Sequence, residues 1–217
     1  DGAKASQSDT MMVVHDGKTL VDYRRPGAPT EPVDMMSATK SLVGIGVGRM
    51  LTQGMLHSID QPVSDFYPEW KQGNKAKITV RMLLDHTSGL QNVPNTGVEI
   101  YPAPDGLKLA LAAELSTPPG SAFSYNNKAM NLLAGIFEKA AGMPMDVYIA
   151  KEVLAPLGIK AAPWGERDHA GHPFAMAGWM ATPEEAARVG ELVLDGGRWK
   201  GHQLIDAAYM KQMTAQS

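Results

Sequence analysis

Ser37-Ala38-Thr39-Lys40-Ser41-Leu42-Val43-Gly44-Ile45-Gly46-Val47-Gly48-Arg49-Met50-Leu51 is the stretch whose reading decides the fold. Leu42, Val43, Ile45, Val47, Met50 and Leu51 leave no polar face, the pattern of a helix buried between layers. Gly54 suits its C-terminal stop. Gly44, Gly46 and Gly48 each weaken helix propensity, so the sequence predicts a close packing partner against them. They do not make a dinucleotide loop, because no G-x-G-x-x-G is present and they lie inside the helix.

The same helix opens with Ser37-x-x-Lys40, the chain's one S-x-x-K. A serine hydroxyl is a poor nucleophile until a base sits within hydrogen-bonding reach. Residues three apart share a helix face, so Lys40 can serve Ser37. Ser37 is expected in the first helical turn, where the positive end of the helix dipole favours an oxyanion. Burial would lower the lysine pKa toward that of a base. The bland alternative is an N-cap serine with a solvated lysine. What weighs against it is context: a proline-rich loop (Pro26, Pro29, Pro32) leads straight into an apolar helix.

Upstream, Thr10 to Tyr23 reads as a β-hairpin around Asp16-Gly17, a pair that tolerates positive φ. Downstream, Ile59 to Trp70 carries two prolines and reads as a surface loop. Thr79 opens a short helix over Val80–Leu84. Residues 91–106 form a Pro/Gly/Asn-rich loop long enough to suggest a functional role. Helices are expected at 107–114, 127–141, 145–154 and 183–194, and strand signals beyond the hairpin are scarce.

A second element, Tyr125-Asn126-Asn127, precedes the helix at 127–141. Alone it reads as a core tyrosine and a helix-capping asparagine. Beside S-x-x-K it offers a phenol to relay protons and an amide to hold a substrate carbonyl.

The bulk numbers describe an ordinary globular chain of 217 residues, 44% hydrophobic and 20% charged. A net charge of −3 gives no reason to expect nucleic acid or an anionic membrane surface. No apolar run approaches the ~20 residues of a membrane helix. With no cysteine, disulfides, thiolate nucleophiles and zinc-thiolate sites are excluded.

Three ordered stretches together resemble the serine beta-lactamase and penicillin-binding-protein-like hydrolases. They are Ser37-Ala38-Thr39-Lys40, Ile78 to Leu90 with Asp85-His86-Thr87-Ser88-Gly89, and Pro119-Gly120 with Phe123-Ser124-Tyr125-Asn126-Asn127. Pro156-Leu157-Gly158-Ile159, Gly178-Trp179-Met180-Ala181-Thr182 and Gly196-Gly197-Arg198-Trp199 are similar to the 6-aminohexanoate-dimer hydrolase and esterase branch. The resemblance implies an α/β (α+β) fold, an antiparallel sheet flanked by helices plus a mainly helical domain. It implies residues 1–58 as the first part of the α/β domain, 59–182 as the helical domain and 183–217 as the return. It makes Ser37 the acylated nucleophile, Lys40 its base, Tyr125 a second acid/base and Asn127 a substrate contact.

The resemblance further implies a cofactor-free hydrolase of a small ester, amide or beta-lactam, with an esterase or amidase preferred. A non-catalytic ligand sensor or scaffold of the same fold is the alternative. Periplasmic or secreted placement is favoured over cytoplasmic, and oligomeric state is open. The family's third motif, K-T-G or H-x-G on a later strand, has no match here. His15-Asp16-Gly17 reads as a turn and His169-Ala170-Gly171 as a polar loop, so the intact protein is expected to continue past Ser217.

Among other residues, His86 reads as a hydrogen-bonded structural histidine rather than a relay. His169 and His172 lack a third metal ligand nearby. Asp60 and Asp65 suit turns. Trp164, Trp179 and Trp199 each read first as packing, with Trp179 the best candidate of the three to line the substrate cleft, and Tyr101 in the long loop is a candidate lid residue over the site.

Overall fold

In the computed structural model, residues 2–160 and 163–215 are described. A single helical turn, α1 (Gly2–Ala5), leads into an antiparallel hairpin of β1 (Thr10–His15) and β2 (Lys18–Arg24). Asp16 and Gly17 take φ of 48° and 69°. Both central residues are thus left-handed, as the tightest hairpin turn requires. A bulge between Val13 and Val14 shifts the register.

The proline-rich segment ends in β3 (Val33–Asp34), and a 3-10 turn over Met36–Ala38 follows directly. The long apolar helix α2 (Thr39–Thr52) comes next and ends before Gly54, whose φ is 72°. Its glycine face is where the expected close approach occurs. A Cβ at Gly46 would lie 2.9 Å from Phe137 Cζ, and one at Gly48 would lie 2.4 Å from Tyr209 Cε1. The helix is therefore packed by whole rings that only a glycine surface admits, which offsets its propensity cost.

After α2 come α3 (Val80–Leu84), capped by the Thr79 hydroxyl, and α4 (Thr96–Glu99) inside the long loop. Helix α5 (Gly106–Ala112) stops two residues earlier than the sequence suggests, because Ala113 turns extended at φ −60°, ψ 130°. Then follow α6 (Asn127–Ala141) and α7 (Met145–Ile149), the latter continued by a π turn over Ala150–Leu154. The chain returns through β4 (Met180–Ala181) to α8 (Pro183–Leu194). Thr182 and Glu185 form a reciprocal capping box there. A small hairpin of β5 (Arg198–Trp199) and β6 (His202–Gln203) precedes α9 (Ala207–Met213).

One core joins these parts: Leu42, Ile45, Met130, Phe137, Tyr148, Leu192 and Met210 belong to the same buried cluster. It draws on each of the three sequence segments; Asp1 and residues 216–217 lie outside the described residues. The β1–β2 hairpin lies against α8, while β3 pairs antiparallel with β4 and so links the segment before Ser37 to the segment after Gly178.

Three expectations need correction. Residues 59–70 are not a surface loop: 3-10 turns bury Val63, Tyr67 and Trp70, and Tyr67 Oη donates to Leu132 O at 2.8 Å. Asp60 does not simply serve a turn but takes a two-pronged ion pair from Arg81 at 2.6 and 2.9 Å. The strands β3 to β6 escaped notice because two-residue ladders carry no alternating pattern.

Candidate active site

Ser37 lies in the 3-10 turn just before α2 rather than in its first α-helical turn. Backbone geometry there is unusual. Met36 takes φ of 47°, uncommon for a residue with a Cβ, and its side chain is 59% exposed. Asp34 supports this conformation: its Oδ1 accepts from Met36 N–H at 2.7 Å and from Gly178 N–H at 3.2 Å.

The segment 176–179 braces the rest of the turn. Met35 N–H donates to Trp179 O at 2.8 Å, and Trp179 N–H donates to Thr39 Oγ1 at 3.2 Å. Lys40 Nζ donates to Met176 O at 2.8 Å. Residues on both sides of Ser37, Lys40 among them, are thus tied to a segment distant in sequence.

The other wall is built by lacing 86–91 to 114–126. Ser116 N–H donates to Gly89 O and Gly120 N–H to Thr87 O, both at 2.8 Å. Gly89 is required at this contact, since a Cβ there would sit 2.3 Å from Thr117 O. Asn126 caps α6 by accepting from Ala129 N–H at 2.9 Å, so the helix cap is Asn126 and not Asn127. Tyr125 therefore leaves the helix start toward α2.

The two walls meet at Ser37 Oγ. It lies 3.1 Å from Lys40 Nζ and 2.9 Å from Tyr125 Oη, both placed as donors to it. Lys40 Nζ also sits 4.9 Å from the Tyr125 ring centroid. Burial pushes the Lys40 ammonium below its ordinary value, while Tyr125 opposes the shift. For Tyr125, burial acts upward, but Lys40 and the Ser37 hydroxyl outweigh it and the phenol falls below its usual range. Each group's shift is thus set in part by the other.

A cavity of about 650 Å³ opens at this point. Ser37, Lys40, His86 and Tyr125 line it together with the apolar Ile59, Leu84 and Met213. Arg81 also lines it, with its charge engaged by Asp60. Asn127, the first residue of α6, carries a buried Oδ1 with no hydrogen-bond partner among the described residues.

Two expected site residues sit elsewhere. The Trp179 side chain is 3% exposed and belongs to the core, so this residue supports the site through its backbone. Tyr101 does not line the cavity. Its hydroxyl donates to Glu166 Oε2 at 2.8 Å and its ring meets Phe174 edge-on at 5.5 Å. Burial and then Glu166 push its phenol up to about 12. Asp34 and Met176 O were missed; an Asp two residues before a turn was the signal available for the first, and a backbone carbonyl leaves none.

Asp105, Asp168 and His172 bring ligand-type atoms within 4.8 Å of one another. Backbone donors already engage the two carboxylates, Gly106 N–H and His172 N–H reaching Asp168 at 2.7 and 2.8 Å and Lys108 N–H reaching Asp105 at 2.9 Å, while His172 Nδ1 lies 2.9 Å from Asp168 Oδ2. The cluster is a clasp between α5 and the 168–172 turn.

The fold that carries these residues is of the beta-lactamase and penicillin-binding-protein type. The Beta-lactamase family matches residues 2–216, and the chain belongs to it. Esterase EstB of Burkholderia gladioli is 28% identical over 58% of this chain and 36% of its own length. The 6-aminohexanoate-dimer hydrolase of Paenarthrobacter ureafaciens is 25% identical over 96% of this chain and 57% of its own. The chain thus spans between about a third and three-fifths of these relatives. The octameric penicillin-binding protein homologue from Pyrococcus abyssi superposes with TM-score 0.75 at 21% identity, covering 98% of this chain and 57% of that one. A penicillin-binding protein homologue from Caulobacter crescentus gives 0.73 at 24%, covering 95% and 69%. At these identities the two structures establish the fold.

Proposed function

We propose that the chain carries the acylation half-site of a serine hydrolase that opens small ester or amide bonds through an acyl-Ser37 intermediate. The observation that carries this reading is the meeting of Lys40 Nζ and Tyr125 Oη on one hydroxyl, Ser37 Oγ. Ser37 Oγ attacks the substrate carbonyl as its proton passes to the Lys40–Tyr125 pair. The tetrahedral centre collapses, the C–O or C–N bond breaks, and Tyr125 returns the proton to the leaving alcohol or amine. Water then attacks the acyl-serine, and the carboxylic acid leaves as Ser37 regains its proton.

Burial of Lys40 supports its role as base, because a desolvated ammonium gives up its proton more readily. Asn127 is assigned to the substrate, its Nδ2 donating to a carbonyl and its unsatisfied Oδ1 accepting from an amide N–H. Tyr101 holds the 164–178 segment through Glu166 and reaches the site only indirectly. The esterase and aminohexanoate-hydrolase relatives favour an ester or linear amide over a beta-lactam. The test is turnover of a p-nitrophenyl ester series by the wild type and by Ser37→Ala and Tyr125→Phe. Turnover lost in Ser37→Ala and slowed by ~10²–10⁴ in Tyr125→Phe is expected of an acid/base pair. Stoichiometric acylation without turnover in the wild type would point instead to a ligand sensor.

A further inference from the structure

Tyr125 is gripped by a residue that the acylation step does not use. His86 lies just past α3 and takes φ of 60°. Its ring centroid is 4.5 Å from that of Tyr125, and Phe123 meets it edge-on at 5.9 Å. The residues on either side of Tyr125 both bond to it. Ser124 N–H donates to His86 O at 2.8 Å, and Asn126 N–H donates to His86 Nδ1 at 3.1 Å. Asn92 Nδ2 adds a third tie at Tyr125 O, 2.9 Å away.

We propose that His86 is the positioning residue for Tyr125, its uncharged ring fixing the phenol at hydrogen-bonding distance from Ser37. Since Nδ1 accepts, the ring proton sits on Nε2. A second proton on Nδ1 would set two donors face to face and break the tie to Asn126. The charged and titratable groups facing His86 are Lys40 from α2, Asp85 beside it and Tyr125 itself. Burial, then the Lys40 charge, disfavour the imidazolium, with Asp85 opposing. Left-handed φ is uncommon for a residue with a Cβ, although His is among the types that adopt it, and these contacts hold the conformation in place.

This inference rests on Tyr125 acting at Ser37, and its test separates the two. His86→Asn keeps a residue that tolerates left-handed φ and an oxygen for Asn126 N–H, but removes the ring. His86→Phe keeps the ring and removes the acceptor. Each is compared with wild type in kcat and KM on a p-nitrophenyl ester across pH, in thermal melting, and in phenolate absorbance with Tyr125→Phe subtracted. His86→Asn is expected to lower kcat about 10- to 100-fold with little change in KM, a part of the ~10²–10⁴ that an acid/base group supplies. It also moves the Tyr125 titration upward toward that of a free phenol. His86→Phe, which lacks the tie to Asn126 at every pH, is expected to lower kcat by less than His86→Asn because the ring remains, and to lose any acidic inflection that belongs to the imidazole.

If His86→Asn melts lower yet leaves kcat and the Tyr125 titration unchanged, His86 is merely structural and the proposal falls. A failure of His86→Phe to fold leaves that decision to His86→Asn. Absence of ester turnover in the wild type would count against the acyl-transfer reading, while the Tyr125 titration would still decide the role of His86.

Discussion

Gly48→Ala should destabilise the protein even though it replaces a poor helix former with the best one. In a free helix the change would gain about 1 kcal/mol of propensity. Here the new Cβ would lie 2.4 and 2.5 Å from Tyr209 ring carbons and 2.7 Å from Ile205 Cγ2. Neither neighbour moves cheaply. Tyr209 is buried and its hydroxyl donates to Gly44 O at 2.7 Å, while Ile205 is fully buried. Overpacking of a tight core costs roughly 1–3 kcal/mol or more, and three sub-van-der-Waals contacts place this site at the upper end. The net expectation is a loss of about 1–2 kcal/mol, or a Tm drop of about 2–8 °C for a chain of this size. Gly190→Ala in α8 is the control, since a Cβ there would meet nothing within 4 Å and its φ is not positive. It should gain up to about 1 kcal/mol. Urea melts of both variants measure the difference; a Gly48→Ala protein as stable as Gly190→Ala would refute the packing argument.

Other expectations follow from the same structure. Lys40→Arg keeps a donor for Ser37 and Met176 O but cannot lose its proton, so it should fold and lose ~10²–10⁴ in kcat; stopped assays on the p-nitrophenyl ester measure this. Thr182→Ala removes the side-chain half of the capping box on α8 and should cost about 0.5–2 kcal/mol in a urea melt. The folded-state pKa of His86 lies below its ordinary 6.5, so the unfolded chain binds the proton more readily. That contribution to stability is present above about pH 6.5 and is lost as pH falls toward the lowered folded value. Wild type should therefore lose more stability than His86→Asn over that interval, measured as the difference of their pH–Tm curves.

Much of this was legible from residue order. Asp16-Gly17 specified a left-handed turn, and the glycines inside an all-apolar helix called for a close packing partner, which the rings of Phe137 and Tyr209 supply. Ser37, Lys40 and Tyr125 were readable because their motifs are short and local, and the fold brings all three to one oxygen. What was not legible depends on long-range pairing. The bracing of Ser37 runs through the carbonyls of Met176 and Trp179, which any residue type could supply. Residue type makes Trp179 a candidate for the cleft as well as for packing, and its ring lies in the core beside the β3–β4 pairing. The burial of Tyr67 and Trp70 was hidden by two prolines, which signal irregular backbone but say nothing of depth.

Covalent capture tests the proposed chemistry most directly. A fluorophosphonate probe followed by peptide mass analysis should place one adduct on the peptide containing Ser37, with none in Ser37→Ala. An adduct on another serine, or none on a folded protein, would contradict Ser37 as the nucleophile.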